Sequence, residues 1–413
     1  MRVLPLSLNA QILVGALLGI LAGFAIAAGK GSPLAQGGLY AAGLLGGLFV
    51  DLLKMILVPL VFCSIAVGVA NLRAHRQMHR VWKLTLGFFV LSMALAIVLG
   101  MGAANLFEPG KGLGFDLLQG ATAPAPPMTL AEFGEKFLHG LFVNPFAALA
   151  QGNVLAIVIF ALFVGIALVA GGERYRNILQ LLQEALELTL RIVGWIMWLA
   201  PLGIMALLAK LVATQDMALL GGLGKFVVVV VGSTLLHGVV VLPLIGWLVA
   251  GVTPLRFWRG AREALVTAFA TSSSSATLPV TLRCVEQHLH VKPEIAGFVV
   301  PLGATVNMDG TALYEAAAAL FVANLVGTDL NLMQQGIVFA TAMLAAIGAP
   351  GIPSAGMVTM VMVLQSVGLP AEAIALLLPI DRPLDAMRTA VNVEGDMVGS
   401  LVVQRLVSGR ASR

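Results

Sequence analysis

Six polar residues near the end of the chain share one face of a predicted helix in an apolar segment. They are Asp381, Asp385, Arg388, Thr389, Asn392 and Asp396. At 100° per residue they project within an arc of about 100°, whereas Ala390, Val391 and Val393 point elsewhere. An ionised side chain near the centre of a bilayer costs at least ~2.5–3.5 kcal/mol, so the stripe predicts a water-filled or ligand-filled cavity. We interpret it as a binding site for a charged solute, with an internal ion-pair network as the alternative.

The composition is that of a polytopic membrane protein. Charged residues make up 11% and hydrophobic residues 59% of the 413 residues, against roughly 25% and 45–50% in soluble proteins. The net charge of +4 comes from basic residues in short loops, which indicates a positive-inside bias and not nucleic-acid binding. Cys63 and Cys284 lie in or beside apolar segments, so no disulfide framework is expected.

Long apolar runs predict the spans of the first part of the chain. The runs are Leu8–Ala28, Leu39–Leu72, Leu84–Phe107, Pro145–Ala170, Ile178–Lys210 and Gly222–Val252. The basic loop Arg73–Lys83 is the strongest positive-inside mark, which places it and the N-terminus in the cytoplasm. Glu108–Gly140 is predicted to be an external connector. His237, deep in a span, is predicted to be a packed core residue and not a ligand.

Two interrupted segments predict re-entrant hairpins. Ala261–Glu286 contains five consecutive hydroxyl residues, Thr271–Ser275, shortly before a proline. Leu332–Leu369 is interrupted by the Gly- and Pro-rich stretch Gly348–Gly356. Irregular backbone at membrane depth is tolerated only beside protein or water. Two such segments in corresponding positions indicate a transporter built from inverted repeats, with its site at the midplane.

The span Glu294–Val326 is interrupted by polar residues at Asn307–Thr311. Asn, Asp and Gly together unwind a helix, which frees carbonyl groups to coordinate a cation while Asp309 supplies negative charge. No Lys or Arg occurs between Pro293 and Asp381. The acidic residues of this stretch therefore need cations or protons to be neutralised.

Four motifs together closely resemble the dicarboxylate/amino acid:cation symporter family, the glutamate transporter homologues. They read SSSSATLP, GATVNMDGTALYEA, GAPGIPSAG and LDAMRTAVNVEGD. The resemblance covers roughly the whole chain, with KMILVPLVF, NVLAIVIFALFVGIAL and APLGIMALLA also in family style. The stretches TALYEA and GIPSAGMVTMVMVLQSVGLP are most similar to the animal excitatory amino acid transporters.

The resemblance implies an all-α polytopic membrane protein of eight transmembrane helices and two re-entrant helical hairpins, with inverted repeats and the elevator-type glutamate transporter fold. Residues 1–83 would form scaffold helices 1 and 2, 84–107 transport-domain helix 3, and 108–210 an external loop with scaffold helices 4 and 5. The transport domain would continue over 211–413, with helix 6, hairpin 1 at 261–286, helix 7 at 294–326, hairpin 2 at 332–369 and helix 8 at 372–408. A homotrimer in the lipid of the cell membrane, with both termini cytoplasmic, is also implied.

The implied function is sodium-coupled import of aspartate or glutamate, without enzymatic chemistry, an organic cofactor or a nucleic-acid partner. Arg388 would receive the side-chain carboxylate of the substrate, as a bidentate fork suits, and Asp385 its amino group. The other implied substrate-binding residues are Ser272, Ser273, Ser274, Thr311, Ile352, Gly356, Thr389 and Asn392.

The resemblance also implies three sodium sites. The first would use carbonyls of Gly303, Asn307 and Asn392 with the carboxylate of Asp396; the second, carbonyls of Thr305, Ala346, Ile347 and Ala349; the third, Asn307, Asp309, Ser92 and the Phe89 carbonyl. Asp396 favours sodium, because proton-coupled relatives carry Asn at this place. Glu315 stands where the animal transporters have the acid that carries a coupled proton; a Glu that only hydrogen-bonds a neighbouring span is the alternative.

Three positions depart from the family pattern. Met93 replaces a second hydroxyl of span three, so the third sodium site lacks one family ligand. Ser272 and Ala386 stand at the two places where members carry an arginine, either in the first hairpin or beside the substrate aspartate. Arg382 lies at the edge of the polar stripe, and the pattern leaves open whether it faces the site or a lipid headgroup.

Other functions stay open at this stage. A C4-dicarboxylate would also suit Arg388, although Asp385 argues for a substrate with an ammonium group. A proton-coupled symporter of the same family is the other near alternative. A membrane hydrolase using the serine run lacks a GxSxG elbow and a histidine placed to serve Ser272–Ser275. A pure anion channel is a third class, since some members of the family conduct anions.

The stripe predicts that replacing Arg388 by Cys or Thr abolishes uptake of acidic substrates and admits neutral amino acids. The site would lose the positive charge that matches a second carboxylate, while Asp385 would remain for the ammonium group. Uptake of labelled aspartate and alanine by the variants measures this. Unchanged aspartate affinity would contradict the assignment of Arg388.

Overall fold

The computed structural model describes residues 8–29, 31–71, 79–113, 139–140, 142–151, 154–214, 217–349, 351 and 353–408. Every regular element in these ranges is helical, which confirms the all-helical prediction. The first nine helices are α1 Leu8–Ala28, α2 Pro33–Asn71, α3 His79–Phe107, α4 Pro145–Gln151, α5 Val154–Gly171, α6 Arg176–Met197, α7 Ala200–Thr214, α8 Met217–Leu236 and α9 Leu242–Ala250. The others are α10 Pro254–Thr271, α11 Ser274–Arg283, α12 Pro293–Val306, α13 Asp309–Leu325, α14 Leu332–Gly348, α15 Ala355–Ser366 and α16 Ile374–Ser408.

Three helical stretches in the described ranges are long and apolar enough to cross a membrane, at 10–28, 80–107 and 221–250. A fourth is added if the bent pair Ile159–Ile196 and Ala200–Thr214 is one span. The total of eight spans stays a prediction, because α12 to α15 are individually short for a bilayer and α16 carries several charges.

One predicted span is divided in the structure. Within Ile178–Lys210, α6 ends at Met197 and α7 begins at Ala200, with a bend of 56° there. Pro201 lies in the first turn of α7, and a proline ends the preceding helix because it lacks an N–H and its ring clashes with a carbonyl. The predicted span Gly222–Val252 corresponds to one helical stretch, Gly221–Ala250, which contains a π-helical segment, His237–Val241.

Several other bounds differ from the predicted ones. Helix α2 begins at Pro33, and the first hairpin begins at Pro254, not Ala261. The predicted span Pro145–Ala170 contains α4 and most of α5, with residues 152–153 outside the described residues. The basic run is not all loop, because Arg80 and Lys83 lie in the first turns of α3. Arg73 and Arg76 and most of the connector 108–140 lie outside the described residues.

The interruptions in the second half lie where the sequence predicts them. Asn307 is extended, with φ −100° and ψ 98°, and separates α12 from α13 at the polar motif. Ser272 ends α10 in the left-handed conformation at φ 51°, and α10 packs against α11. Helices α14 and α15 form a second helical hairpin, in which Ser354 also has the left-handed backbone conformation. Ser272, Asn307 and Ser354 therefore provide non-helical backbone at the three interruptions that the sequence predicts.

The helices pack in two groups. The first contains α1, α2, α5, α6 and α7; the second contains α3 and α8 to α16. The groups meet where α14, α15 and α16 contact α2, α5 and α7, and where α1 contacts α16. Helix α13 is the centre of the second group, since all its residues except Asn324 are buried.

Small residues hold α1 against α7. Gly15, Gly19 and Gly23 recur every four residues on the face of α1 that contacts α7, and a Cβ at Gly19 would overlap the carbonyl oxygen of Met205. Spacing of this kind lets helix backbones approach closely in membranes. The α1–α7 contact therefore depends on the absence of side chains.

We expect Gly19→Leu to lower the thermal stability of the detergent-solubilised protein, because overpacking costs typically ~1–3 kcal/mol. Gly102→Leu is the control, since Gly102 is an exposed position of α3 where a Cβ meets nothing within 4 Å. Melting followed by size-exclusion fluorescence compares the two. Equal melting temperatures would show that the glycine stripe does not set the packing distance.

Candidate functional site

A buried ion-pair cluster lies on the predicted polar stripe of α16. The Nη2 atom of Arg388 donates to Asp381 Oδ1 at 2.6 Å and to Asp385 Oδ1 at 2.9 Å. The side chain of Arg388 is only 1% exposed, and its Cζ lies 3.9 Å from the centre of the Tyr314 ring. Its Nε and Nη1 atoms have no hydrogen-bond partner among the described residues. The guanidinium can thus accept a further anion.

A small pocket of about 230 Å³ lies beside this cluster. Its lining residues are Ser272, Ser274, Met308, Thr311, Gly351, Ala355, Gly356, Asp385, Thr389 and Asn392. The lining combines hydroxyl, amide and carboxylate side chains with glycine and alanine, which suits a small polar solute. Arg388 lies just behind the lining, since a Cβ on Gly356 would be 3.9 Å from its Cζ.

The two hairpin tips meet at the pocket. Ser273 Oγ donates to the Gly351 carbonyl at 2.6 Å, and the Ser275 N–H donates to the same carbonyl at 3.2 Å. The Ser354 N–H donates to Asp385 Oδ2 at 2.8 Å. Ser272 Oγ is buried without a partner among the described residues. The tips therefore close one side of the pocket and leave a hydroxyl for a solute. Ile352 lies outside the described residues.

The start of α13 is fixed against α16 by an amide side chain. Asn392 Oδ1 accepts from the Gly310 N–H at 2.8 Å, and Asn392 Nδ2 donates to Thr311 Oγ1 at 3.2 Å. A Cβ at Gly310 would lie 2.6 Å from the Arg388 carbonyl oxygen, so this crossing requires glycine. The contact brings Thr311 to the pocket.

Glu315 lies one turn beyond Thr311 and is fully buried. The Thr359 hydroxyl of α15 donates to its Oε1, while Oε2 has no hydrogen-bond partner among the described residues. Glu315 thus connects the second hairpin with the central helix.

Three of the predicted sodium ligands lie around the hydroxyl group of a fourth, Ser92. Ser92 Oγ of α3 lies 2.9 Å from Asp309 Oδ1, 3.3 Å from Asn307 Oδ1 and 3.3 Å from the Phe89 carbonyl oxygen. These oxygens come from α3 and the break between α12 and α13. Met93, in place of the second hydroxyl, is fully buried.

A second group of predicted ligands surrounds Asp396. Asn307 Nδ2 donates to Asp396 Oδ1 at 3.2 Å, and a Cβ on Gly303 would overlap this carboxylate. The carbonyl of Gly303 accepts from the Asn307 N–H at 2.8 Å. Asn392 lies one turn before Asp396 on α16.

The remaining predicted ligands are backbone carbonyls near the ends of α12 and α14. They belong to Thr305, Ala346, Ile347 and Ala349, and α12 packs against α14. In the described ranges, no group of three or more His, Cys, Asp or Glu side chains could hold a metal ion. Carbonyl and single-carboxylate sites would not require such a group, because sodium is a hard cation that oxygen ligands suffice to bind.

The sequence did not predict the contacts that two residues make at the site. His237 was expected to be a packed core residue; it is fully buried, but its Nε2 lies 3.0 Å from Asp309 Oδ2. Tyr314 stacks beneath Arg388 and its hydroxyl contacts Met357 Sδ at 3.4 Å. The position of Tyr314, one turn from Thr311, could have predicted its place at the site. Nothing in the sequence indicated the contact of His237, because its partner is 72 residues away.

The family model named sodium:dicarboxylate symporter family matches residues 8–406. The chain belongs to this family. Membership makes it a membrane transporter and not an enzyme, and confirms the resemblance found in the motifs.

Two classes of relative match this symporter. The human neutral amino acid transporter B(0) is 35% identical over 97% of this chain and 80% of its own length, and the rabbit protein of the same name matches equally. Mouse excitatory amino acid transporter 4 is 49% identical over 62% of this chain and 46% of its own length. The names of these relatives therefore leave the charge of the substrate open.

Gly303→Ala tests whether Asp396 binds sodium in this symporter. The added Cβ overlaps the carboxylate, and overpacking of ~1–3 kcal/mol corresponds to roughly 5–150-fold in affinity. We expect the sodium concentration for half-maximal uptake to rise within that range. Gly297→Ala, on the same helix where a Cβ meets nothing within 4 Å, is the control. If both variants keep the sodium dependence of the wild type, Asp396 does not coordinate the ion.

Proposed function

We propose that the protein imports acidic amino acids, aspartate or glutamate, coupled to sodium. The observation that carries this proposal is the pairing of Arg388 and Asp385 at one pocket, 2.9 Å apart. A cation and an anion match the side-chain carboxylate and the ammonium group of one acidic amino acid. Both charges are buried, and a buried charge needs a partner. The solute replaces part of the contact that Arg388 makes with the two aspartates.

Neutral amino acids and C4-dicarboxylates are the competing substrates. A neutral amino acid has no second carboxylate for Arg388, and a C4-dicarboxylate has no ammonium for Asp385. The free Nε and Nη1 atoms of Arg388 favour a solute with a side-chain carboxylate, since guanidinium binds carboxylate through two parallel hydrogen bonds. Ser272, Thr311, Thr389 and Asn392 supply the remaining polar contacts, with the hairpin tips closing over the substrate.

Sodium ions would bind at the three sets of oxygens around the break between α12 and α13. Asp309 and Asp396 supply the charge of the third and first sets, while the second set consists of carbonyls. Ser92 contacts Asp309 at 2.9 Å, and Asn307 contacts Asp396 at 3.2 Å. Asn392 lines the pocket and belongs to the first set, and its side chain binds Gly310 and Thr311 at the start of α13. Helices α13 and α16 together would therefore couple the binding of ion and solute.

Transport would follow an elevator mechanism. The pocket lining comes wholly from the second helix group, α3 with α8 to α16, which we propose as the transport domain. The first group, α1, α2, α5, α6 and α7, would be the scaffold. An arrangement in which one compact group carries every ligand supports movement of that group as a unit.

A homotrimer is proposed from the surface of α6. Leu181, Leu188 and Trp195 recur every seven residues and are 64%, 60% and 58% exposed. A seven-residue apolar repeat is typical of helices that pack against partner helices. The mass of the protein in lipid nanodiscs would distinguish a trimer from a monomer whose α6 faces lipid.

Proteoliposome uptake tests the substrate and the driving ion together. Labelled aspartate, succinate and alanine are offered with and without an inward sodium gradient. We expect concentrative aspartate uptake that requires sodium. Preferential succinate or alanine uptake would replace the proposed substrate class, sodium-independent accumulation would replace the proposed ion, and conduction without accumulation would indicate a channel.

Glu315 is proposed to carry a coupled proton. It is fully buried, it accepts from the Thr359 hydroxyl of the second hairpin, and its Oε2 has no hydrogen-bond partner among the described residues. We expect aspartate uptake under a sodium gradient to acidify the liposome lumen, and Glu315→Gln to retain binding but lose the pH dependence of transport.

Glu294→Gln is the control for this variant, because Glu294 is exposed in the first turn of α12. A lumenal pH dye and labelled aspartate are followed in parallel. If the wild type moves no protons, Glu315 has a structural role and connects only the hairpin with α13.

A further inference from the structure

Arg382 is a second arginine beside Asp385, the residue proposed to bind the ammonium group of the substrate. Its side chain is 6% exposed, and its Nη1 lies 3.7 Å from Asp385 Oδ2. Asp385 is therefore flanked on its own helix by Arg382 three residues before it and Arg388 three residues after it. The orientation that the sequence left open is now defined: Arg382 points into the protein and not toward a headgroup.

Among the described residues that line the pocket, Asp385 is the one that Arg382 is seen to contact. Asp385 is a lining residue, and neither arginine is among the described residues that line the pocket. Arg382 contacts one carboxylate oxygen of Asp385, whereas Arg388 contacts the other. A charged group in this position changes the electrostatic potential in the pocket without contacting the solute.

The charges of this cluster balance only if Arg382 is counted. Asp381 and Asp385 oppose Arg388 and Arg382, which gives zero formal charge; without Arg382 the cluster is negative by one. An acidic amino acid carries one net negative charge, and a neutral amino acid carries none. At distances of a few ångström inside protein, a full charge changes binding markedly. A cluster with an uncompensated negative charge would repel the acidic solute and not the neutral one.

The other charged groups near the site do not replace Arg382. Glu315 is an acid, and Asp309 and Asp396 belong to the sodium-ligand cluster with Ser92 and Asn307. His237 contacts Asp309 on α13 and not the aspartates of α16. In the described residues, the positive charges in contact with Asp385 are thus the two arginines.

We propose that Arg382 determines substrate specificity: it compensates the negative charge of Asp385 and so favours solutes with net negative charge over neutral amino acids. This inference depends on the proposed function, since it assumes a pocket that binds an amino acid between Arg388 and Asp385. Arg382 is a positioning and charge-compensating residue, not one that touches the substrate.

The test compares affinities for aspartate and alanine in wild type, Arg382→Gln and Arg382→Lys, by competition with labelled substrate in proteoliposomes. We expect Arg382→Gln to weaken aspartate binding by about tenfold, equivalent to ~1.4 kcal/mol, with alanine binding unchanged or stronger. Arg382→Lys keeps the charge and should retain the ratio of the two affinities within about threefold, less than ~1 kcal/mol. Arg405→Gln, an exposed position of the same helix, is the control.

The ratio of the two affinities separates specificity from structure. If Arg382→Gln weakens both solutes equally, Arg382 only supports the fold of α16 and the proposal is overturned. If Arg382→Gln does not give a monodisperse protein, Arg382→Lys decides the question, and a tenfold fall of the ratio despite the retained charge overturns it. A wild type that binds alanine better than aspartate overturns the proposed function and this inference together, whereas an aspartate-selective wild type with an unmoved ratio overturns the inference alone.

Discussion

The cost of burying the charges of α16 governs the arrangement around the site. Arg388 is 1% exposed and would be very unfavourable in apolar surroundings without partners. Asp381 and Asp385 on its own helix and the ring of Tyr314 on α13 supply those partners. Because two of these are carboxylates that also need compensation, Arg382 becomes part of the same cluster. The cluster of Asp381, Asp385, Arg382 and Arg388 thus has a formal charge of zero.

The same constraint explains the irregular backbone beside α16. Three places leave helical geometry, at Ser272, Asn307 and Ser354, and all three approach this one helix. Backbone N–H groups freed there bind its side chains, as Ser354 does with Asp385 and Gly310 with Asn392. Unsatisfied backbone groups are expensive away from water, and α16 provides the polar partners of the Ser354 and Gly310 N–H groups. Solute and ion ligands therefore cluster at the breaks.

The two helix groups have different structural roles. The first group is held by close backbone contact, with Gly19 of α1 against Met205 of α7, and contributes no lining residue to the pocket. The second is centred on α13, where a run of alanines lets α3 and α16 approach. A site whose described lining lies within one group does not depend on the contact between groups, which in the described residues is made mainly by α14, α15 and α16 with α1, α2, α5 and α7.

The sequence by itself determined the features that depend on local chemistry. The polar face of α16, the break at Asn307 and both hairpins follow from helical periodicity and from residues that end helices, and the motifs identified the family. It did not determine the break before Pro201, the contact of His237 with Asp309 or the inward orientation of Arg382. These depend on which segments pack together, over separations such as the 72 residues between His237 and Asp309. Periodicity places a residue on a face, but only tertiary packing decides what that face meets.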